Sequence, residues 1–159
     1  MPRQKSTRAE ILHQLQRAQR TQGAYSTLHS ATIAARAGIG SVELECCDLL
    51  QLHGPLPAGK LGDLVGLGPS TTTSVVDRLE KAGFVERTRH DTDRRVVLVR
   101  MRPSVAATFD PHYTPIRRHS AGVHKTFTNA ELLVVTRYLE AASDALAAAV
   151  LELRSDDDA

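Results

Sequence analysis

The chain has 159 residues, 42% hydrophobic and 24% charged, a profile that excludes a disordered or collagen-like polymer and fits one globular domain with room for an oligomerisation extension. Aromatic residues make up only 4% and Trp is absent, so the core must come from Leu, Val, Ile and Ala, a choice that favours helices over a β-sandwich. The net charge of +2 hides an uneven distribution, with basic residues gathered in segments 1–20 and 84–102 and acidic ones towards the C-terminus.

In chain order, residues 6–37 have the spacing of a helix, with Leu12, Leu15 and Ala18 on one stripe and Tyr25, Leu28, Thr32 and Ala35 continuing it; Gln22-Gly23 is the candidate break. Gly38 and Gly40 stop that helix. Ser41 is the expected N-cap of a second helix, residues 41–52, whose Val42, Cys46, Leu49 and Leu50 share a face before His53-Gly54-Pro55. Ala58, Leu61, Leu64 and Val65 mark a short third helix closed by Gly66-Leu67-Gly68. Pro69 suits the first position of the next helix, residues 69–82, where its missing N–H is not needed; Val75, Val76, Leu79 and Ala82 form its buried stripe and Gly83 its stop.

Two β-prone runs follow, 84–89 and 95–101, separated by the turn-forming His90-Asp91-Thr92-Asp93-Arg94. After Pro103 a further helix is expected, interrupted at Asp110-Pro111 and resuming with Tyr113, Ile116, Ser120, Val123 and Phe127. Thr128-Asn129-Ala130-Glu131 has the capping-box pattern. It opens a last helix in which Leu132, Val135, Leu139, Ala142, Leu146, Ala149 and Leu153 repeat at alternating intervals of three and four, the seam of a coiled-coil-like contact between molecules.

The middle of the chain therefore reads as a winged helix-turn-helix. The fold expected is mainly α with a small β-hairpin wing: an N-terminal dimerisation helix region (1–40), a DNA-binding core (41–102) and C-terminal dimerisation helices (103–159), in one integrated domain. The second helix of such a pair enters the major groove and the wing flanks it. Opposite the stripe of helix 69–82 lie Ser70, Thr71, Ser74, Arg78 and Lys81, with Thr73 at the edge. Their hydroxyls suit phosphates and base edges, and phosphate also suits a helix N-terminus. The helix has no early Arg or Asn, the usual bidentate readers, so DNA shape is expected to carry much of the discrimination. Arg87, Arg89, Arg94 and Arg95 crowd the hairpin; a guanidinium at its tip can enter a narrow minor groove, and Asp93 can hold Arg94 or Arg95 extended. A winged-helix module that binds only protein needs no such basic wing.

These residues resemble the MarR family of bacterial regulators. The likeness is carried by Gly54-Pro55-Leu56, by 61–67, by 70–85 and by 91–99, which includes Asp91-Thr92-Asp93-Arg94-Arg95. The resemblance implies a homodimer on a pseudo-palindromic site in double-stranded DNA. It implies contacts from Ser70, Thr71, Thr73 and Ser74, with Arg95 as the wing arginine beside Asp93. It also implies release of DNA by a small aromatic or phenolic ligand, or by cysteine oxidation. Gly68 and Pro57 depart from the family pattern, where Ser or Thr is more usual, which puts phosphate contacts from those two places in doubt.

Other chemistry is thinly supported. Cys46 and Cys47 are adjacent, so their side chains point about 100° apart on a helix and an internal disulfide is sterically poor. Cys46 falls on the apolar face, leaving Cys47 as the thiol expected to reach solvent. The seven His residues form no i, i+4 pair and there is no Cys-x-x-Cys, so neither a metal nor a cofactor is expected. Without a nucleophile elbow, phosphate loop or dinucleotide fingerprint, no enzyme activity is expected. No run approaches the roughly 20 apolar residues of a membrane span and Met1-Pro2-Arg3-Gln4-Lys5 has no apolar run behind it, so a cytoplasmic protein is expected.

Overall fold

The structure, a computed structural model, describes residues 6–90, 93 and 95–156. It divides between His112 and Tyr113 into two compact units. Thr7 starts the first: its Oγ1 accepts from the Glu10 N–H (3.3 Å) and its own N–H donates to Glu10 Oε2 (2.8 Å), a reciprocal cap for helix α1 (Arg8–Ala37). The break expected at Gln22-Gly23 is absent. A glycine keeps its N–H and costs a helix only about 1 kcal/mol relative to Ala, which a helix of 30 residues absorbs.

Helix α2 (Ser41–His53) is capped by Gly40 rather than Ser41: the Gly40 N–H donates to Glu43 Oε2 at 2.7 Å, and Ser41 is the first helical residue. Its buried side chains are Leu44, Cys46, Cys47 and Leu50, while Val42 is exposed and Leu49 half-buried. The buried face is broader than the expected stripe because α1, the next two helices and the sheet all press on α2.

Next comes an element the sequence reading lacked. Leu56–Pro57 form a short strand, β1, paired antiparallel with β3 (Val97–Met101), which pairs on its other side with β2 (Val85–Arg89), in the order β1-β3-β2. The wing is thus a three-stranded sheet. Two residues carry no period, and a proline lacks the ladder donor, a loss tolerated only at an edge. Of the expected strands, Phe84 and Arg95–Val96 fall outside the ladder, which closes on Arg89 opposite Val97. Phe84 instead packs its ring on Phe109, centroids 5.4 Å apart.

Helices α3 (Ala58–Val65) and α4 (Pro69–Lys81) complete the motif. Leu61, Val75, Val76, Leu79, Val85 and Val99 are almost wholly buried and, with Leu44, form the core beneath it. Leu64 and Ala82, expected inside, are exposed: α3 is too short to bury more than one turn's face, and Ala82 is the C-cap of α4. Helix α5 (Val105–His124) runs unbroken through Asp110-Pro111. A proline there removes one donor of the ladder, and the turn before it is anchored by the buried Val105 and Phe109.

In the second unit, Thr128 and Glu131 form the expected capping box. The Thr128 N–H donates to Glu131 Oε2 at 2.8 Å, and Thr128 Oγ1 accepts from the Glu131 N–H at 3.3 Å, opening α6 (Asn129–Asp156). The Thr128 N–H holds the Glu131 carboxyl below the ordinary carboxylate value. On α6, Val135, Leu139, Leu146 and Leu153 are exposed in the single chain and Leu132 and Ala142 half-buried.

Among the described glycines, Gly62 on α3 has the most crowded surroundings, against Thr72 of α4. A Cβ on Gly62 would sit 2.3 Å from Thr72 Oγ1 and 3.1 Å from Thr72 Cγ2. Thr72 is buried and donates its hydroxyl to the Gly68 carbonyl (3.0 Å), so neither branch can turn away. Gly62→Ala is therefore expected to destabilise the fold by about 1–3 kcal/mol, read as a lowered urea midpoint; an unchanged midpoint would refute the contact.

Candidate nucleic-acid interface

The link between α3 and α4 sets what α4 presents. Gly66 takes the left-handed conformation (φ 80°), and Gly62 O accepts from the N–H groups of Gly66 (2.7 Å) and Leu67 (2.9 Å), which ends α3 sharply. Gly68 then serves as N-cap of α4 without a side-chain oxygen, and Pro69 supplies the first helical φ. Pro57 likewise caps α3 without a side-chain hydrogen bond. The N–H groups of Ser70 and Thr71 belong to the first turn, which has no intrahelical acceptor to offer them.

With Thr72, Val75, Val76 and Leu79 buried, the opposite face exposes Ser70, Thr71, Thr73, Ser74, Arg78 and Lys81. Thr72 is the member of that buried stripe the sequence reading omitted, because a threonine among threonines carries no apolar signal. Thr73 donates its hydroxyl to Pro69 O and Ser74 to Ser70 O, each at 3.0 Å. With their hydrogens so used, both oxygens have only lone pairs left to offer, a polarity suited to the amino groups of adenine and cytosine.

The arginines divide into two groups. Arg87 on β2 grips α4: its guanidinium bonds Asp77 Oδ1 (2.6 Å) and Glu80 Oε2, and its backbone N–H donates to Glu80 Oε1 (3.2 Å). Burial alone would ease its proton off, but Asp77 and Glu80 outweigh that and raise its pKa. Arg100 pairs with Glu86 at 2.6 Å, and Arg102 Nε donates to Val85 O at 3.1 Å. Arg78 Nε meets Glu43 Oε1 at 2.6 Å. Arg87 is thus a strut between wing and recognition helix rather than part of an outward basic cluster. Arg89 and Arg95 are exposed at the far end of the wing, and no ion pair of either occurs among the described residues. Arg94, with Asp91 and Thr92, lies outside the described residues. Asp93 Oδ1 accepts the backbone N–H of Arg95 (3.0 Å), and Asp93 O accepts that of Val96 (3.0 Å), so this carboxylate shapes the turn that carries Arg95.

The MarR family model matches residues 41–97, the span from α2 through the wing. A Bacillus subtilis protein described as the uncharacterised HTH-type transcriptional regulator YcgE is 30% identical over 122 residues, covering 77% of this chain and 79% of that one. The chain belongs to the MarR family. Among solved structures, a MarR family protein from Bacillus stearothermophilus superposes with a TM-score of 0.65 at 25% identity, covering 89% of this chain and 99% of that one. RV1404 from Mycobacterium tuberculosis gives 0.60 at 26%, with 91% and 98% covered. This chain is accordingly a MarR-family transcriptional regulator with a DNA-binding winged-helix fold. No helix among the described residues is long and apolar enough to cross a membrane, and no group of three His, Cys, Asp or Glu among them is arranged to hold a metal ion.

The thiols of this MarR-family chain lie in its core. Cys46 and Cys47 are both 1% exposed, against the expectation that Cys47 reaches solvent. Burial, aided by the nearby acidic groups, pushes Cys46 up to about 11 and Cys47 up to about 12 from the ordinary 9.0. The folded state therefore holds these protons more tightly than the unfolded state. Their contribution to stability is complete below pH about 9 and is lost as pH rises towards 11 and 12. Native protein at pH 8 is expected to react with Ellman's reagent only as fast as it unfolds, and immediately in denaturant. A rapid native phase would show a thiol accessible for oxidation.

Proposed function

We propose that this chain is a repressor that binds a pseudo-palindromic site in double-stranded DNA as a homodimer and is released by a small aromatic or phenolic effector. The observation that carries the DNA reading is the pairing of an exposed hydroxyl-rich start of α4 with a wing whose outer end exposes Arg89 and Arg95. Thr73 and Ser74 would accept from base amino groups in the major groove, and Ser70 and Thr71 would meet base edges and phosphates. Arg89, Arg94 and Arg95 would lie along the backbone or minor groove, with Asp93 shaping their turn. The second reading, a winged-helix module for protein alone, leaves the exposed wing arginines without a role.

Repression is supported by the likeness to the HTH-type transcriptional repressor MdtR of Bacillus subtilis, 31% identical over 62 residues, which spans 39% of this chain and 40% of that one. The dimer is supported by the apolar residues α6 leaves exposed, Leu139, Leu146 and Leu153 among them, at the spacing of an intermolecular seam. Effector release rests on the family resemblance. Two recognition helices about 34–36 Å apart, or a multiple of that, would enter successive major grooves on one side of the duplex, and an effector would act by favouring another spacing.

Arg95→Ala is expected to weaken binding by about 1–3 kcal/mol and to flatten the dependence on salt, measured by fluorescence anisotropy on the chain's own upstream DNA. Unchanged affinity and slope would remove the wing from the interface, and no binding by the unaltered chain at low salt would favour the protein-only module. In a second experiment, Leu139→Glu combined with Leu146→Glu is expected to convert a dimer to a monomer in light scattering, since paired like charges would face each other across the seam. A dimer that survives both changes would place the interface elsewhere.

A further inference from the structure

Arg78 is the cation of α4 that the fold has already engaged. Its Nε sits 2.6 Å from Glu43 Oε1, while the other oxygen of the same carboxylate accepts the Gly40 N–H at 2.7 Å. Glu43 belongs to the first turn of α2, and its side chain is only 12% exposed against 60% for Arg78. Burial pushes the Glu43 carboxyl up, but the Gly40 N–H and Arg78 outweigh it and hold it below the ordinary carboxylate value. The carboxylate is therefore ionised, fixed at both oxygens and largely out of water before any DNA arrives.

This arrangement bears on how DNA sees the helix. A phosphate approaching α4 competes for Arg78 with a carboxylate that needs no further dehydration or ordering. Together, Arg78 and Glu43 carry no net charge, so the pair presents a dipole rather than a cation. Affinity for arbitrary duplex depends on how many phosphates are neutralised, whereas the hydroxyls of Ser70, Thr71, Thr73 and Ser74 are uncharged. Withdrawing one cation from the count lowers the electrostatic affinity for any duplex, and that term is essentially the whole affinity for a duplex without the operator.

We propose that Glu43 restrains sequence-independent binding: by holding Arg78 back from the phosphate backbone, it lowers affinity for duplexes that lack the operator. The inference rests on the DNA-binding reading above and adds to it a residue outside the interface. Glu43→Gln tests it cleanly, because the amide oxygen still accepts the Gly40 N–H while the charge on Arg78 is no longer balanced.

The experiment is an anisotropy titration of the full chain and its variants against a labelled random-sequence duplex over a range of KCl concentrations, with circular dichroism to confirm folding. Glu43→Gln is expected to bind about three- to tenfold more tightly at low salt, with a log–log salt slope steeper by about 0.9 per chain. Adding Arg78→Ala should abolish that gain. Arg78→Ala alone leaves the α2 cap intact but the Glu43 carboxylate unbalanced, so its affinity falls, yet its log–log salt slope should match that of the unaltered chain, because no phosphate contact is lost. The inference is overturned if folded Glu43→Gln binds no more tightly, or if the gain persists without Arg78, which would reflect only the loss of a negative charge. It is overturned equally if Arg78→Ala alone flattens the salt slope as much as Arg95→Ala, an arm that decides the matter even where Glu43→Gln does not fold. Those outcomes leave DNA binding standing, whereas an unaltered chain that binds no duplex at any salt removes the DNA reading and the inference with it.

Discussion

Where α3 packs on α4 at Gly62, one helix has no side chain and the other offers a threonine whose hydroxyl is bonded back to the Gly68 carbonyl at the cap of its own helix. Gly62 and Thr72 meet at a separation no alanine would permit, and the buried Leu61, Val75, Val76 and Leu79 close around them. This contact fixes the rotation of α4 about its axis, because the buried stripe can face α3 in only one way. The outward set of hydroxyls and Arg78 follows from that rotation.

A second constraint acts from the other side. Asp77 and Glu80 stand in the last turns of α4, where the helix dipole disfavours negative charge, and Arg87 from β2 offsets both with one guanidinium. The same bonds tie the recognition helix to the wing, which links the two surfaces expected to meet DNA. Glu43 grips Arg78 from α2 in turn. Between them, these pairs use cations that a count of residues would assign to a polyanion, and they leave Arg89 and Arg95 as exposed cations of the wing with no ion pair among the described residues.

The long helices behave differently from the winged core. α1 buries only Ile33 and Ala34, near its C-terminal end, and α6 buries no side chain fully among its described residues. Ile11, Leu12 and Leu28 on α1, and Leu139, Leu146 and Leu153 on α6, remain in contact with water in the single chain. Helices of 30 and 28 residues with so little covered are poorly accounted for by their own unit, and this is the physical ground for reading them as the dimer-forming part of the molecule.

Much of this was legible without coordinates. The helix-turn-helix order, Pro69 at the start of α4, the Thr128-Glu131 cap and the outward Ser70, Thr71, Thr73 and Ser74 all follow from local rules of capping and period, which act within a few residues. What the sequence could not decide were matters settled by neighbours distant in the chain. The β1 strand exists because β3 pairs with it, and Gly23 and Pro111 fail to break helices because the flanking turns hold. Cys47 is buried because α2 is covered on more than one side. Above all, the arginines look alike in sequence, each a long chain ending in the same charge. Only the tertiary structure decides which of them find a carboxylate within reach, as Arg78 and Arg87 do, and which are left at the surface, as Arg89 and Arg95 are, because an ion pair is a property of two positions brought together by the fold and not of either residue.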